Sequence, residues 1–191
     1  IIIVLDRNDC WFKSISLPKK SNIEIVYGGN SRAKSVRNGL LSLGNIARPN
    51  DWILVHDIVR PLVTTDSIER LFSEVSEQDV AAILASSIDQ TIKKTFNKND
   101  SEKKMIIDRT LDRNKLWAAQ TPQIVRYEIL CKALDKTLQS GMDVTDEAMA
   151  VEKIGEQVVL VSNTSSNIKI TTQDDMSLAE YLYFKSKKSL S

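Results

Sequence analysis

The chain has 191 residues, 42% of them hydrophobic and 27% charged, enough apolar material for a single globular domain with one sizeable core. Its 26 Lys and Arg against 25 Asp and Glu leave a formal net charge of +1. That balance excludes a global field drawing the surface onto nucleic acid or an anionic membrane, so any anion binding must be local.

Ile1–Leu5 opens the chain as a β-branched run and predicts a strand buried on both faces of a parallel sheet. The chain starts without a methionine, so further residues are expected ahead of Ile1, and whether they include a leader is left open. Ala33, Val36, Leu40 and Leu43 step by three and four as one helix. Ile53–Val55 and Val80–Leu84 read as buried strands, with a helix between them on Ile68, Leu71, Phe72 and Val75. For that helix Asp66 is the predicted cap, with Glu69 three residues on.

Thr91–Thr95 and Met105–Arg109 read as two short strands around the polar turn Asn97-Lys98-Asn99-Asp100-Ser101. Such a hairpin, carrying Lys93, Lys94, Lys103 and Lys104, either projects into solvent or pairs with another subunit. Tyr127–Gln139 is a helix with Ile129, Leu130, Ala133, Leu134 and Leu138 on one side, stopped at Gly141. Thr172 and Asp175 open a last helix with Met176, Ala179, Leu182 and Tyr183 inward, and Lys185 to Ser191 reads as a frayed, solvated tail. Strand and helix alternate, which predicts an α/β fold with a mainly parallel sheet, right-handed crossovers and helices on both faces. No stretch approaches the roughly 20 apolar residues that span a bilayer. Cys10 and Cys131 lack metal-like spacing and read as reduced thiols packed in the core of a cytosolic protein.

Open α/β sheets bind ligands outside the carboxyl ends of their strands. There Trp52–Val55 runs into His56-Asp57-Ile58-Val59-Arg60-Pro61. An acid and a base three apart can hold a cation and a phosphate together; the same spacing also suits a surface pair that only ties the loop down. His56, the single histidine, reads as a structural hydrogen-bonder rather than a general base. Gly28-Gly29-Asn30-Ser31-Arg32-Ala33-Lys34-Ser35 offers open backbone N–H groups at a helix start, fit for an anion or a base edge, or else is a flexible connection. Further polar clusters stand at Arg113–Trp117, Gln120–Gln123, Thr145–Glu147 and Asn167–Thr171, each of which also has a plain capping or packing explanation.

Taken in order, the segments GGxxRxxSVxNGL (Gly28–Leu40), VHDxxRPxV (Val55–Val63), Thr91-Ile92-Lys93, DRNKLWAAQTPQ (Asp112–Gln123), TDEA (Thr145–Ala148) and NIKIT (Asn167–Thr171) resemble the 2-C-methyl-D-erythritol 4-phosphate cytidylyltransferase family over nearly the whole chain. The resemblance implies a Rossmann-like nucleotidyltransferase domain over residues 1–191, with a triphosphate-gripping glycine-rich segment ahead of Ile1. It also implies a β-arm at Thr91–Arg109 that interlocks a homodimer, CTP as co-substrate, and Mg²⁺ or another divalent cation. By motif, Gly29, Asn30 and Ser35 would lie against the cytosine and ribose of CTP. Asp57 would sit beside the metal or the substrate diol, and Arg60 would help hold the substrate. Thr91, Thr121 and Thr145 would surround the methylerythritol phosphate, while Arg113, across the dimer interface, and Lys169 would reach its phosphate. Asp57, Arg113 and Lys169 are thus the implied catalytic residues. The implied location is cytoplasmic, with a plastid-type address left open.

Two departures from the family pattern stand out. Ile58-Val59 replaces a usual pair of alanines, and Ser87 and Gln90 stand where a proline and an aspartate are typical. The DRNKLW and TDEA segments favour methylerythritol phosphate over ribitol 5-phosphate as acceptor. A non-catalytic nucleotide-binding dimerisation module is the alternative from another class. A dinucleotide-dependent oxidoreductase is disfavoured by the lack of G-x-G-x-x-G.

Overall fold

The computed structural model describes residues 1–17, 22–97 and 105–188. In chain order its elements are β1 (Ile2–Leu5), β2 (Glu24–Tyr27), α1 (Arg32–Ser42), β3 (Trp52–Val55), α2 (Thr65–Ser73), β4 (Ala81–Ser87), β5 (Lys93–Asn97), β6 (Met105–Thr110), β7 (Trp117–Arg126), α3 (Tyr127–Gln139), α4 (Glu147–Lys153), β8 (Val159–Ser162) and α5 (Gln173–Lys188). Among the described residues no helix is long and apolar enough to cross a membrane. The chain divides into two compact units.

The first unit comprises Ile1–His56, Ser73–Ala82 and Gln123–Val159. β1 and β2 pair in parallel, from Ile2 against Glu24 to Leu5 against Tyr27. Every β1 residue is only half-buried, because β2 is its one strand partner among the described residues. β3 runs antiparallel to the end of β7, Trp52 opposite Arg126 and Val55 opposite Gln123, an antiparallel pair where a mainly parallel sheet is expected. Ala33 and Leu40 of α1, Leu130, Ala133 and Leu134 of α3, and Ala150 and Val151 of α4 close one apolar core. Each leucine so buried stabilises the fold by about 1.5–3 kcal/mol. The predicted bounds of α3 hold, and Gly141 takes the left-handed conformation (φ +65°) that a side chain would resist. Cys10 departs from expectation. It is exposed beside a turn in which Asp9 Oδ1 accepts from the N–H groups of Trp11 and Phe12. Cys131 is half-buried on α3.

The second unit comprises Asp57–Phe72, Ile83–Pro122 and Leu160–Ser191, with strands in the order β7-β4-β8. Ile83–Ala85 of β4 and Leu71 of α2 are buried. The cap of α2 is Thr64 rather than Asp66: the Thr64 hydroxyl accepts from Ser67 N at 3.2 Å. Asp66 falls inside the first turn, where its charge suits the positive end of the helix. At α5 the predicted pair forms reciprocally, with Thr172 N donating to Asp175 Oδ2 (2.8 Å) and Asp175 N to Thr172 Oγ1 (3.2 Å). Of its predicted inner face Ala179 is buried while Met176 and Tyr183 stay exposed. The helix continues to Lys188, past the predicted start of fraying.

β5 and β6 form the expected antiparallel hairpin, Lys93 opposite Thr110 and Asn97 opposite Met105, with a register irregularity between Lys94 and Thr95. It is less polar outside than its lysines suggest, since Phe96, Met105 and Ile107 are exposed. Asn97, expected in the turn, is the last residue of β5; the other expected turn residues, Lys98–Ser101, with Lys103 and Lys104, lie outside the described residues, as do residues 189–191 of the tail.

Candidate active site

In the second unit the loop that follows β3 delivers Asp57 and Arg60, and β7 and the segment after β8 deliver their partners. Lys169 Nζ donates to Asp57 Oδ2 at 3.0 Å, with the lysine side chain 45% and the aspartate 16% exposed. Asp57 N donates to the hydroxyl of buried Thr121 at 3.0 Å. Arg60 spans the gap between two chain segments, donating from Nη1 to Asn167 O at 2.8 Å and from Nη2 to Ala119 O at 3.4 Å. A further backbone bond, Ile170 N to Val59 O at 2.8 Å, ties the same segments. Burial lowers the pKa of Arg60 and Asp57 opposes that fall; the guanidinium remains charged. Two cations thus bracket one carboxylate, leaving a local excess of positive charge able to receive a phosphate.

Arg113 and Thr91 lie elsewhere in this unit, at the base of the hairpin. Both are exposed. Arg113 Nη1 donates to Asp89 O, and Leu111 N to Ile92 O at 2.9 Å holds the two strands of the base together. Asp112 starts the short turn bearing Arg113 by accepting from Asn114 N.

In the first unit the loop from Gly28 to Ser31 leads into α1. Ser31 caps the helix by accepting from Lys34 N at 3.2 Å. Ser35 turns its hydroxyl back, donating to Ser31 O at 2.8 Å and accepting from Gly29 N at 3.1 Å. Asn30, between them, is exposed. Arg32 reaches α4, where its Nη atoms meet both carboxylate oxygens of buried Glu147 at 2.6 and 2.8 Å. Asp146 caps α4 through Met149 N and also accepts from Gln123 Nε2 at 3.0 Å, while Gln123 Oε1 receives Ala148 N at 2.9 Å. Thr145, just ahead of this cap, is exposed, its hydroxyl 3.7 Å from Met149 Sδ.

Asp57, Arg60, Thr121 and Lys169 are therefore one cluster; Gly29, Asn30 and Ser35 share one loop and helix start. Glu147, Gln123 and Asn167 belonged to segments singled out in the sequence but carried no assignment. Each stands in a polar cluster at the edge of an apolar run, where nothing local tells a buried, partnered side chain from a solvated one. Among the described residues no three His, Cys, Asp or Glu converge as a metal cluster. The hard carboxylate oxygens of Asp57 suit Mg²⁺ in the manner usual at phosphate sites, where one or two carboxylates act together with substrate phosphates and waters.

The family model described as 2-C-methyl-D-erythritol 4-phosphate cytidylyltransferase matches residues 1–185. The chain is similar to the protein of that name from Vesicomyosocius okutanii subsp. Calyptogena okutanii (strain HA), 41% identical over 181 residues that cover 94% of this chain and 72% of that one. To the protein of that name from Pseudoalteromonas translucida (strain TAC 125) it is 42% identical over 185 residues, covering 97% and 72%. The crystal structure of the Francisella tularensis 2-C-methyl-D-erythritol 4-phosphate cytidylyltransferase superposes with a TM-score of 0.79 at 34% identity, over 95% of this chain and 79% of that one. The α/β, Rossmann-like expectation agrees with this likeness.

Proposed function

Because the chain belongs to the 2-C-methyl-D-erythritol 4-phosphate cytidylyltransferase family, we propose that it transfers CMP from CTP to 2-C-methyl-D-erythritol 4-phosphate. The products are 4-diphosphocytidyl-2-C-methyl-D-erythritol, an isoprenoid precursor, and pyrophosphate. The observation that carries the reading is the cluster of Lys169 and Arg60 around Asp57, with the ammonium 3.0 Å from the carboxylate.

The acceptor is a phosphomonoester with a second pKa of about 6, hence mostly dianionic at neutral pH and already a nucleophile. No general base is required, which leaves His56 outside the chemistry. An acceptor oxygen forms a bond to the α-phosphorus of CTP as the bond from that phosphorus to the bridging oxygen breaks, and pyrophosphate carries away the electron pair. The obstacle is the approach of two anions, so the side chains act by position and charge. Lys169, Arg60 and Arg113 draw in the acceptor phosphate, with Arg113 reaching it from the partner subunit. Thr91 and Thr145 donate hydroxyls to the polyol, and Thr121 acts there beside Asp57, whose N–H it accepts. Gly29, Asn30 and Ser35 hold the cytidine. Asp57 would hold Mg²⁺ together with the phosphates of CTP, where the ion neutralises triphosphate charge.

The hairpin is the proposed arm of a homodimer: exposed Phe96, Met105 and Ile107 supply apolar surface for a second copy. The whole chain acts as one cytoplasmic nucleotidyltransferase domain in this reading. The deciding experiment is pyrophosphate release by the full-length protein with CTP and Mg²⁺, comparing methylerythritol phosphate with ribitol 5-phosphate. Release with methylerythritol phosphate is the expected result. Preference for ribitol 5-phosphate moves the acceptor to pentitols, and silence with both overturns the transferase reading.

A further inference from the structure

Asn167 is 1% exposed and stands two residues ahead of Lys169. Its amide nitrogen donates to Thr121 O at 2.9 Å and to Gln120 Oε1 at 3.1 Å. Its own main-chain oxygen accepts from Arg60 Nη1 at 2.8 Å. Thr121 in turn holds Asp57 N, and Asp57 receives Lys169. The contacts close a ring: Asn167 to Thr121, Thr121 to Asp57, Asp57 to Lys169, and two residues of chain back to Asn167. Arg60 is attached to the same ring through the Asn167 carbonyl.

We infer that Asn167 is a positioning residue of the acceptor site, setting Arg60, Thr121 and Lys169 at one fixed spacing. This rests on the transferase reading above. An amide is suited to the task because both of its N–H groups are directed in one plane, and here each ends on an acceptor from β7. Asp in its place keeps the shape but faces two acceptors with none of its donors; Ala removes the link altogether. The other end of the same network provides a control. Asn163 Nδ2 donates to Gln120 Oε1 at 2.9 Å, while its Oδ1 accepts from Ser67 Oγ and Arg70 Nη2, both at 2.9 Å. The Oδ1 contacts lead to α2 and the Nδ2 shares the Gln120 acceptor with Asn167, but none of these bonds reaches Thr121, Asp57 or Arg60, so Asn163 contributes stability without setting the cations.

The test compares the full-length parent with Asn167→Ala, Asn167→Ser and Asn163→Ala in pyrophosphate release, using whichever polyol phosphate the parent accepts, and measures a melting temperature for each. Misplacement of about 1 Å can lower turnover about a hundredfold, and that loss in kcat is expected for Asn167→Ala, with a raised KM for the polyol phosphate and an unchanged KM for CTP. Asn167→Ser keeps one donor and falls between. Asn163→Ala melts earlier but keeps the parent's constants. If Asn167→Ala fails to fold, Asn167→Ser decides on the same criteria. Parent-like kcat and acceptor KM in the Asn167 variants overturn the inference, as does an equal kinetic loss in Asn163→Ala. An active parent with unaffected Asn167 variants sinks this inference alone; a parent silent with both acceptors sinks the transferase reading and the inference together.

Discussion

Arg32 meets both carboxylate oxygens of Glu147 from 115 residues away, at 2.6 and 2.8 Å, and Glu147 is fully buried while the arginine side chain is 30% exposed. The pair joins the start of α1, next to Gly29 and Asn30, to the start of α4, next to Thr145. Burial raises the Glu147 pKa, and Arg32 opposes that rise. Arg32→Ala is expected to cost about 3 kcal/mol at neutral pH, because it strands a buried carboxylate. A carboxyl whose folded pKa lies above its unfolded value of about 4.3 favours the fold below that pH, and the benefit disappears as pH rises through the folded value. The deficit of Arg32→Ala relative to the parent should therefore shrink on acidification. Urea unfolding across pH measures it, and equal stability at pH 7 would refute the role.

Lys169→Ala should lower turnover about a hundredfold if the ammonium acts mainly in the transition state. The circular dichroism spectrum should not change, since a partly exposed ion pair adds little stability. Parent-like turnover would remove Lys169 from the site.

Gly28 stands where the chain passes close to Ser35. A Cβ there would lie 2.7 Å from Ser35 Oγ and 3.2 Å from its Cβ, displacing the hydroxyl that accepts from Gly29 N. Gly28→Ala is expected to raise KM for CTP by up to about tenfold, the scale of one polar contact, and to leave KM for the acceptor alone. An unaltered KM for CTP would count against assigning the cytidine to this loop.

Asp175 accepts from Thr171 N, Thr171 Oγ1 and Thr172 N, and these bonds hold its pKa at about 2. Its folded pKa is depressed, so its contribution is present above the ordinary carboxylate value of about 3.9 and is lost as pH falls through about 2. Amide protection in the first turn of α5 should weaken across that window in the parent. Asp175→Asn should show no such step, and an identical acid transition in the variant would assign it to another group.

Sequence alone determined what depends on neighbours a few residues apart. The bounds of α3, the left-handed stop at Gly141 and the Thr172–Asp175 cap were readable because helical period and capping act within one or two turns. The same local logic misplaced the cap of α2: Thr64 and Asp66 are both capping residues, and it is the Thr64 hydroxyl that meets Ser67 N while Asp66 lies inside the first turn. Asp57, Arg60 and Lys169 were recognisable as motif residues, and so were Gly29 and Ser35. That Lys169 meets Asp57 across 112 residues, that Arg32 finds Glu147, and that Asn167 joins β7 to the Arg60 loop was decided by tertiary structure. A buried charge or amide demands a partner, but which distant group meets it depends on how strands and helices pack, and that choice is not written in any local stretch of chain.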